Sequence, residues 1–212
     1  NNISAEMASR LIPGGAHTYS KGDDQFPINA PRIIDRGFGC TLWDVDGNEF
    51  TDLAMSLGTV ILGHAYEPVL DAVRKEINRG VNFCRLSVIE GELAELLVDI
   101  IPSAEMVKFG KNGSDAVTAA VKLARAYTGR KYVVRCQDDA FNAIHDWFIG
   151  STVLTRGVPE EVQALTLKFK YNDLDSCQKI FDQYPGEISC FVLEPLSFEE
   201  PRDGFLEKLK VM

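Results

Sequence analysis

A short apolar run, Lys131-Tyr132-Val133-Val134-Arg135-Cys136, lies between Gly129 and a polar loop. Its length and its β-branched residues predict a strand that is buried in a sheet. Before it, Val117, Val121 and Ala124 recur at helical spacing, and Gly129 stands where a helix C-cap glycine belongs. The chain is therefore expected to enter this strand directly from a helix.

The elements on either side of this run indicate an α/β fold. Residues 106–109 predict a short strand before it, and residues 165–169 predict another after it. Asn172 is placed to cap a helix over residues 173–184, and residues 188–193 form a strongly apolar strand. Strands that alternate with helices predict a mainly parallel sheet with helices on its faces. Ligands of such sheets bind beyond the carboxyl ends of the strands.

Two helices are predicted upstream of these strands. Pro68 fits the first turn of a helix that ends before Gly80, and the second helix is closed by Pro102. The second helix carries apolar residues at helical spacing, namely Ile89, Leu93, Leu96, Leu97 and Ile100.

Closer to the N-terminus, Asp46-Gly47 lies between two half-apolar runs and predicts a β-hairpin. The acidic residues around it also resemble a calcium loop, but the required glycine would fall at Glu49. We therefore expect the hairpin.

The composition limits the kinds of partner. Of the 212 residues, 45% are apolar and 25% are charged, which is typical of a globular protein. The net charge of −9 disfavours nucleic acids and anionic membranes as partners. No apolar run approaches the ~18 residues of a membrane-spanning helix.

The cysteines and histidines limit the compartment and the metal chemistry. The five cysteines are odd in number and widely spaced, which predicts reduced core residues in a cytoplasmic protein. The three histidines have no further ligands at metal-binding spacing, so we expect no zinc site.

Three segments at predicted strand ends could carry chemistry. Asn112-Gly113-Ser114 opens a helix and suits a phosphate, although Ser114 could instead be a plain N-cap. Phe141 follows the strand over residues 131–136 and could stack on a planar heterocycle, or it could pack on the core together with Trp147. Glu194 places a carboxylate at the end of the last strand, where a solvated acid is the plain alternative.

Six segments in this order resemble one known family. They are Ile12-Pro13-Gly14-Gly15, residues 39–48, Ile61-Leu62-Gly63-His64, Asn112-Gly113-Ser114-Asp115-Ala116, residues 123–130 and Leu193-Glu194-Pro195. On these segments the chain resembles the N-terminal half of the class III pyridoxal-phosphate-dependent aminotransferases, and within them the glutamate-1-semialdehyde 2,1-aminomutase group.

The resemblance implies a fold and its parts. It implies an α/β large domain of fold type I, the aspartate aminotransferase-like fold, with a mainly parallel sheet. Residues 66–212 are the expected N-terminal part of this pyridoxal-phosphate-binding domain, which is incomplete. Residues 1–65 are the expected loop and hairpin segment of the small domain.

The resemblance also implies roles for single residues. Asn112, Gly113 and Ser114 are expected to hold the phosphate of pyridoxal 5'-phosphate. Phe141 takes the place of the ring-stacking aromatic residue in the family's Tyr-His-Gly motif, and Asn142 and Ala143 replace its histidine and glycine. The phenol and the imidazole of that motif are thus absent from these positions.

Two further residues are assigned in the same way. Glu194 matches an acid that lines the site. Ser56 is the expected substrate contact, in Ser56-Leu57-Gly58 where the aminomutase branch often has Ser-Trp-Gly.

The implied activity is the transfer or relocation of an amino group on a small amino or keto substrate through Schiff-base intermediates, in a homodimer. The Schiff-base lysine and the aspartate that pairs with the pyridine nitrogen are expected beyond Met212, so no catalytic residue is assigned here. Lys111 is expected to be a solvent-facing charge. We therefore expect an inactive fragment that exposes apolar surface. The alternative is a non-catalytic module that keeps only the phosphate- and ring-binding parts.

Overall fold

The computed structural model of the protein describes residues 4–196 and 199–212. The chain forms two compact units, Asn1–Val88 and Ile89–Met212. The domain boundary between residues 65 and 66 stays a prediction of the sequence.

The first unit contains a small antiparallel sheet. Its strands pair in the order β1 (Ile34–Phe38), β2 (Thr41–Asp44) and β3 (Glu49–Thr51). The sheet is preceded by helix α1 (Ala5–Leu11) and by 3-10 turns at Pro13–Gly15, Tyr19–Lys21 and Asp23–Gln25. It is followed by the single turn α2 (Met55–Gly58) and by helix α3 (Glu67–Ile77).

The predicted hairpin is confirmed, and it explains the cluster of acidic residues. Strands β2 and β3 pair through Trp43 and Glu49, and Gly47 supplies the positive φ of 83° in the turn. The Asp44 carboxylate accepts the amide N–H of the Asn48 side chain and the backbone N–H of Asn48, each at 2.8 Å. These bonds, the side-chain bond foremost, hold the pKa of Asp44 below its ordinary value. Asp44 thus closes a turn.

Strand β1 was not predicted, because Asp35, Arg36 and Gly37 interrupt its apolar pattern. Gly37 occupies its position in β1 for a steric reason. A Cβ on Gly37 would come within 2.7 Å of Cγ of the His64 ring, which packs against this strand.

The second unit is the predicted α/β layer. Its elements are α4 (Val88–Ile100), α5 (Gly113–Thr128), β4 (Tyr132–Cys136), α6 (Asp146–Ile149), α7 (Glu160–Gln163), β5 (Thr166–Phe169), α8 (Leu174–Gln183), β6 (Ile188–Val192) and α9 (Phe205–Val211). Both neighbours of β4 pair with it in parallel, in the order β5-β4-β6. The parallel sheet predicted from the sequence is therefore confirmed, with the run at residues 131–136 at its centre.

Neighbouring side chains of β4 enter two different cores, as the two-residue period of a strand requires. Val134 is fully buried with Phe169 and Phe205 in a cluster that includes residues of α8. Val133 is fully buried in a second cluster with Val121 of α5 and Trp147 of α6. Helices thus cover both faces of the sheet.

Two predictions of local structure are wrong. Residues 106–109 form no strand, because no backbone hydrogen bond joins them to another strand in the described part of the chain. An extended segment without such a partner cannot build a ladder. Helix α8 is capped by Asp173, whose Oδ1 accepts the N–H of Ser176 at 2.9 Å. Asn172 has a left-handed φ of 59°, and its side chain contacts the backbone of Glu200 and Arg202 instead.

Other predictions are confirmed. Gly129 ends α5 in the left-handed conformation, with its N–H on the carbonyl of Arg125. Helices α3 and α4 form as predicted, but neither contains a buried residue. Leu96 and Ile100 on α4 are 52% and 59% exposed, so the chain does expose apolar surface.

The prediction that the cysteines are core residues holds only in part. Cys136 and Cys177 are buried, whereas Cys40 and Cys84 are exposed. Burial raises the pKa of the Cys177 thiol to about 11. Among residues 4–196 and 199–212, no helix is long and apolar enough to cross a bilayer.

The packing of β4 and β5 yields a prediction of stability. Phe169 is 1% exposed, and its ring is stacked with that of Phe205 and tilted against that of Phe191. We expect Phe169→Ala to lower the free energy of unfolding by about 3–5 kcal/mol, because it removes a large buried ring and leaves a cavity. Urea denaturation followed by circular dichroism measures this change. Leu123→Ala, at a site that is 71% exposed, is the control and should change stability by less than about 0.5 kcal/mol.

Candidate functional site

The N-terminus of α5 is built to receive an anion. Oδ1 of Asn112 accepts the backbone N–H of Asp115 at 2.9 Å, so Asn112 is the N-cap. The interpretation of Ser114 as a plain N-cap is therefore wrong. In the described part of the chain, the backbone N–H groups of Gly113 and Ser114 have no acceptor. Two open N–H groups at the positive end of a helix favour a phosphate.

The Ser114 side chain and the space beside Gly113 also favour the binding of a phosphate. Oγ of Ser114 accepts the backbone N–H of Ile144 at 3.2 Å, which leaves the hydroxyl proton for another acceptor. A Cβ built on Gly113 would meet no atom within 4 Å, so the space beside this backbone is open. The first turn thus offers three donors beside open space.

A carboxylate in the same turn is paired with side chains other than these donors. The two oxygens of Asp115 contact the Asn112 amide at 3.0 Å and Nε2 of His145 at 3.3 Å. His145 lies at the start of α6, so this contact also joins the loop after β4 to α5.

The aromatic residue of that loop presents a free ring. Phe141 is 61% exposed, and its ring meets the ring of Phe148 edge-on, with centroids 5.7 Å apart. The alternative of core packing applies to Trp147, which is 5% exposed and donates to the Thr118 hydroxyl. A ring fixed at one edge can stack through its face on a planar heterocycle.

The neighbours of Phe141 have local roles. Nδ2 of Asn142 donates to the carbonyl of Ala140 at 3.1 Å, which stabilises the loop itself. The side chain of Ala143 is completely buried in the core that contains Trp147.

The end of β6 meets this loop through an acid that the sequence did not single out. The backbone N–H of Glu194 donates to Oδ2 of Asp139 at 3.0 Å. Burial raises the pKa of Asp139, and the nearby charge of Glu194 acts in the same direction. Glu194 itself is exposed. A polar loop after a strand was the available sequence signal, but it did not distinguish Asp139 from its exposed neighbour Asp138.

The structure therefore brings six predicted site residues to the start of α5 and to the loops that follow β4 and β6. They are Asn112, Gly113, Ser114, Phe141, Asn142 and Glu194. Such an edge can bind an anionic group and a flat ring side by side. No group of three or more potential metal ligands occurs among residues 4–196 and 199–212.

Ser56, the seventh predicted residue, belongs to the first unit and lies in a strained turn. Met55, Ser56 and Leu57 have φ values of 46°, 50° and 61°, a left-handed conformation that costs about 1–2 kcal/mol per residue without glycine. Nζ of Lys21 donates to Oγ of Ser56 at 3.3 Å.

Asp52 stabilises the strained turn through hydrogen bonds to the backbone at its start. One carboxylate oxygen accepts the backbone N–H groups of Ala54 and Met55 at 3.0 Å each, and the other contacts Nε2 of His64 at 2.7 Å. The His64 contact is the largest of the causes that lower the pKa of Asp52. The Asp52–His64 contact therefore fixes the backbone that carries Ser56.

The lowered pKa of Asp52 predicts an acid-sensitive contribution to stability. The ionised form is stabilised in the folded state, so the contribution is complete above the unfolded pKa and is lost as the pH falls through the folded pKa. Asp52→Asn should lower stability by about 1–3 kcal/mol at pH 7, and the difference from the unchanged protein should shrink in strong acid.

Trp43 in β2 reports on this unit when Trp147 is replaced by phenylalanine. Urea denaturation followed by its fluorescence at pH 7 and below pH 3.5 gives the comparison. Asp46→Asn is the control for the loss of one negative charge. Equal stability of the Asp52→Asn and control proteins at pH 7 would contradict the assignment.

Comparisons with known proteins agree with the geometry. The family model described as aminotransferase class-III matches residues 19–197. A glutamate-1-semialdehyde 2,1-aminomutase of Acidobacterium capsulatum is 36% identical over 97% of this chain and 50% of its own length. The chain spans about half the length of the curated relatives it matches.

Solved structures show the same relationship. An omega-transaminase from Sphaerobacter thermophilus is 28% identical, with a TM-score of 0.86 over 97% of this chain and 50% of that protein. A transaminase with PLP bound is 25% identical, with a TM-score of 0.87 over 98% of this chain and 50% of that protein. The match to the family model covers most of the chain, and we conclude that the chain belongs to the class III aminotransferase family.

Proposed function

We propose that the protein uses pyridoxal 5'-phosphate to transfer or relocate an amino group on a small amino or keto substrate. The observation that carries this proposal is the hydrogen bond between Ser114 and Ile144. It joins the donor-rich start of α5 to the loop that presents Phe141, and so sets an anion site beside a free aromatic ring.

Each residue has a distinct part in this proposal. The N–H groups of Gly113 and Ser114 and the Ser114 hydroxyl bind the phosphate, and Asn112 holds the helix start in shape. The Phe141 ring stacks on the pyridine ring. When bound, pyridoxal phosphate supplies an electron-withdrawing ring that stabilises negative charge on the substrate carbon.

Two further side chains have parts in this proposal. Glu194 presents its carboxylate at the end of β6, where it can orient a donor of the cofactor or the substrate. Ser56 contributes a hydroxyl to the substrate, with Lys21 as its present hydrogen-bond donor.

The choice between transfer and relocation depends on the substrate pocket. Relatives named aminomutase and transaminase both match this chain. Leu57 stands where the aminomutase branch often has tryptophan, so the wall beside Ser56 differs from that branch. We extend the proposal to a homodimer of the whole protein in the cytoplasm, where the buried thiols of Cys136 and Cys177 would stay reduced.

We propose further that these 212 residues do not catalyse the reaction by themselves. Two observations support this. The first is that the chain spans about half the length of its relatives, and the second is the resemblance, which places the Schiff-base lysine in the part of the relatives that the chain does not cover. Lys111, three residues before Ser114, is exposed.

The phosphate site is tested with pyridoxamine 5'-phosphate, whose amine cannot condense with surface lysines. We expect saturable binding in isothermal titration calorimetry and binding that is weaker by about tenfold to a hundredfold in Ser114→Ala, since a hydrogen bond to a charged group contributes about 1.5–3 kcal/mol. Ser103→Ala removes an exposed hydroxyl from the turn after α4 and should bind like the unchanged chain. Equal affinity of all three proteins would contradict the assigned phosphate site.

The lysine assignment is tested by incubation with pyridoxal phosphate, reduction with borohydride and peptide mass analysis. We expect scattered, substoichiometric labelling of surface lysines. Stoichiometric labelling of one lysine, such as Lys111, would show that the covalent anchor lies in this part of the chain. If the chain binds pyridoxamine phosphate and no single lysine is labelled stoichiometrically, the result agrees with an enzyme fragment and with the non-catalytic module alike. Amino-group transfer by the 212 residues would contradict their proposed inactivity.

A further inference from the structure

We infer that Asp139 is a positioning residue of the cofactor site, which sets the place of Phe141 and Glu194 by joining the loop after β4 to the end of β6. This inference rests on the proposed function. It concerns a residue to which neither the sequence motifs nor the comparisons give a role.

The contact itself joins distant parts of the chain. Oδ2 of Asp139 accepts the backbone N–H of Glu194 at 3.0 Å, across 55 positions of sequence. Parallel pairing of β4 with β6 ends at Arg135 and Val192. Asp139 therefore continues the connection between the two strands past the point where the backbone ladder stops.

The loop has few other connections. Among the described residues, the other hydrogen bonds between residues 138 and 143 stay within this loop or return to Cys136 at the end of β4. At the far end of the loop, Ile144 is held by Ser114 and His145 by Asp115. Phe141 lies between the two anchors, so its ring position depends on both of them.

The environment of Asp139 fits a fixed carboxylate. Burial raises the pKa of Asp139 overall, whereas the backbone N–H of Glu194, the Cys136 thiol and the Arg135 guanidinium favour its ionised form. Because Oδ2 accepts a backbone N–H at the end of β6, we assign Asp139 to positioning.

The phosphate and the ring of the proposed ligand should respond differently to the loss of Asp139. The phosphate contacts the start of α5, which Asp139 does not touch, whereas the ring contacts Phe141, which Asp139 positions. Loss of Asp139 should therefore weaken the binding of a phosphorylated ring and leave the binding of inorganic phosphate unchanged. A general loss of folding would weaken both.

The experiment compares pyridoxamine 5'-phosphate with inorganic phosphate by calorimetry on the 212-residue chain. We expect Asp139→Ala to weaken pyridoxamine phosphate binding about tenfold, the loss of about one hydrogen bond to a charged group, and phosphate binding by less than about twofold. Asp139→Asn keeps a side-chain oxygen for the Glu194 N–H and should restore most of the affinity. Asp138→Ala removes the same charge from the adjacent exposed position and should bind both probes normally.

The outcomes separate this inference from the function on which it rests. Failure of the unchanged chain to bind pyridoxamine phosphate overturns the proposed site and this inference with it. Normal binding by Asp139→Ala overturns the inference alone. Equal losses of both probes in Asp139→Ala, with thermal unfolding shifted to match, also overturn it, because they show a general structural role.

Discussion

The parallel pairing of β4 with both of its neighbours is the constraint on which the candidate site depends. Val133 and Val134 are buried on opposite sides of β4, so both faces of this central strand are covered. Parallel strands end at the same edge, and the helix that leads into β4 begins there. The start of α5 and the loops after β4 and β6 are thereby gathered without any contact among their functional side chains. The hydrogen bonds of Ser114 and Asp139 then fix the positions within that edge.

A buried cation connects the core to this edge. The guanidinium of Arg135 donates to the hydroxyl and the carbonyl of Ser151 at 2.6 and 3.1 Å, and burial lowers its pKa. It lies 4.8 Å from the ring centre of Phe148, the same ring that Phe141 meets edge-on. Because a buried charge needs every one of its partners, Arg135 restricts where Ser151 and Phe148 can lie. The loop that carries Phe141 therefore packs against a ring, that of Phe148, whose position Arg135 restricts.

The sequence predicted those elements whose signal is local. Gly129 ends its helix and Gly47 forms its turn because both positions need a positive φ. Residues 106–109 have the composition of a strand, but a strand also needs a neighbour, and composition does not identify one. Within the site, the motif around Ser114 was predictable because helix starts have a known chemistry. Asp139 was not, because its partner Glu194 lies 55 positions away and only the folded sheet brings the two together.

The turn that carries Ser56 shows how a local sequence can adopt a conformation that it does not favour. Three successive non-glycine residues in the left-handed region oppose the turn. Asp52 counters this by accepting two backbone N–H groups, and the contact with His64 keeps its carboxylate in place. Such a turn persists only where its surroundings determine it more strongly than its own residues do. The backbone of Ser56 is then held in one place, which is the property that the proposed substrate contact of Ser56 requires.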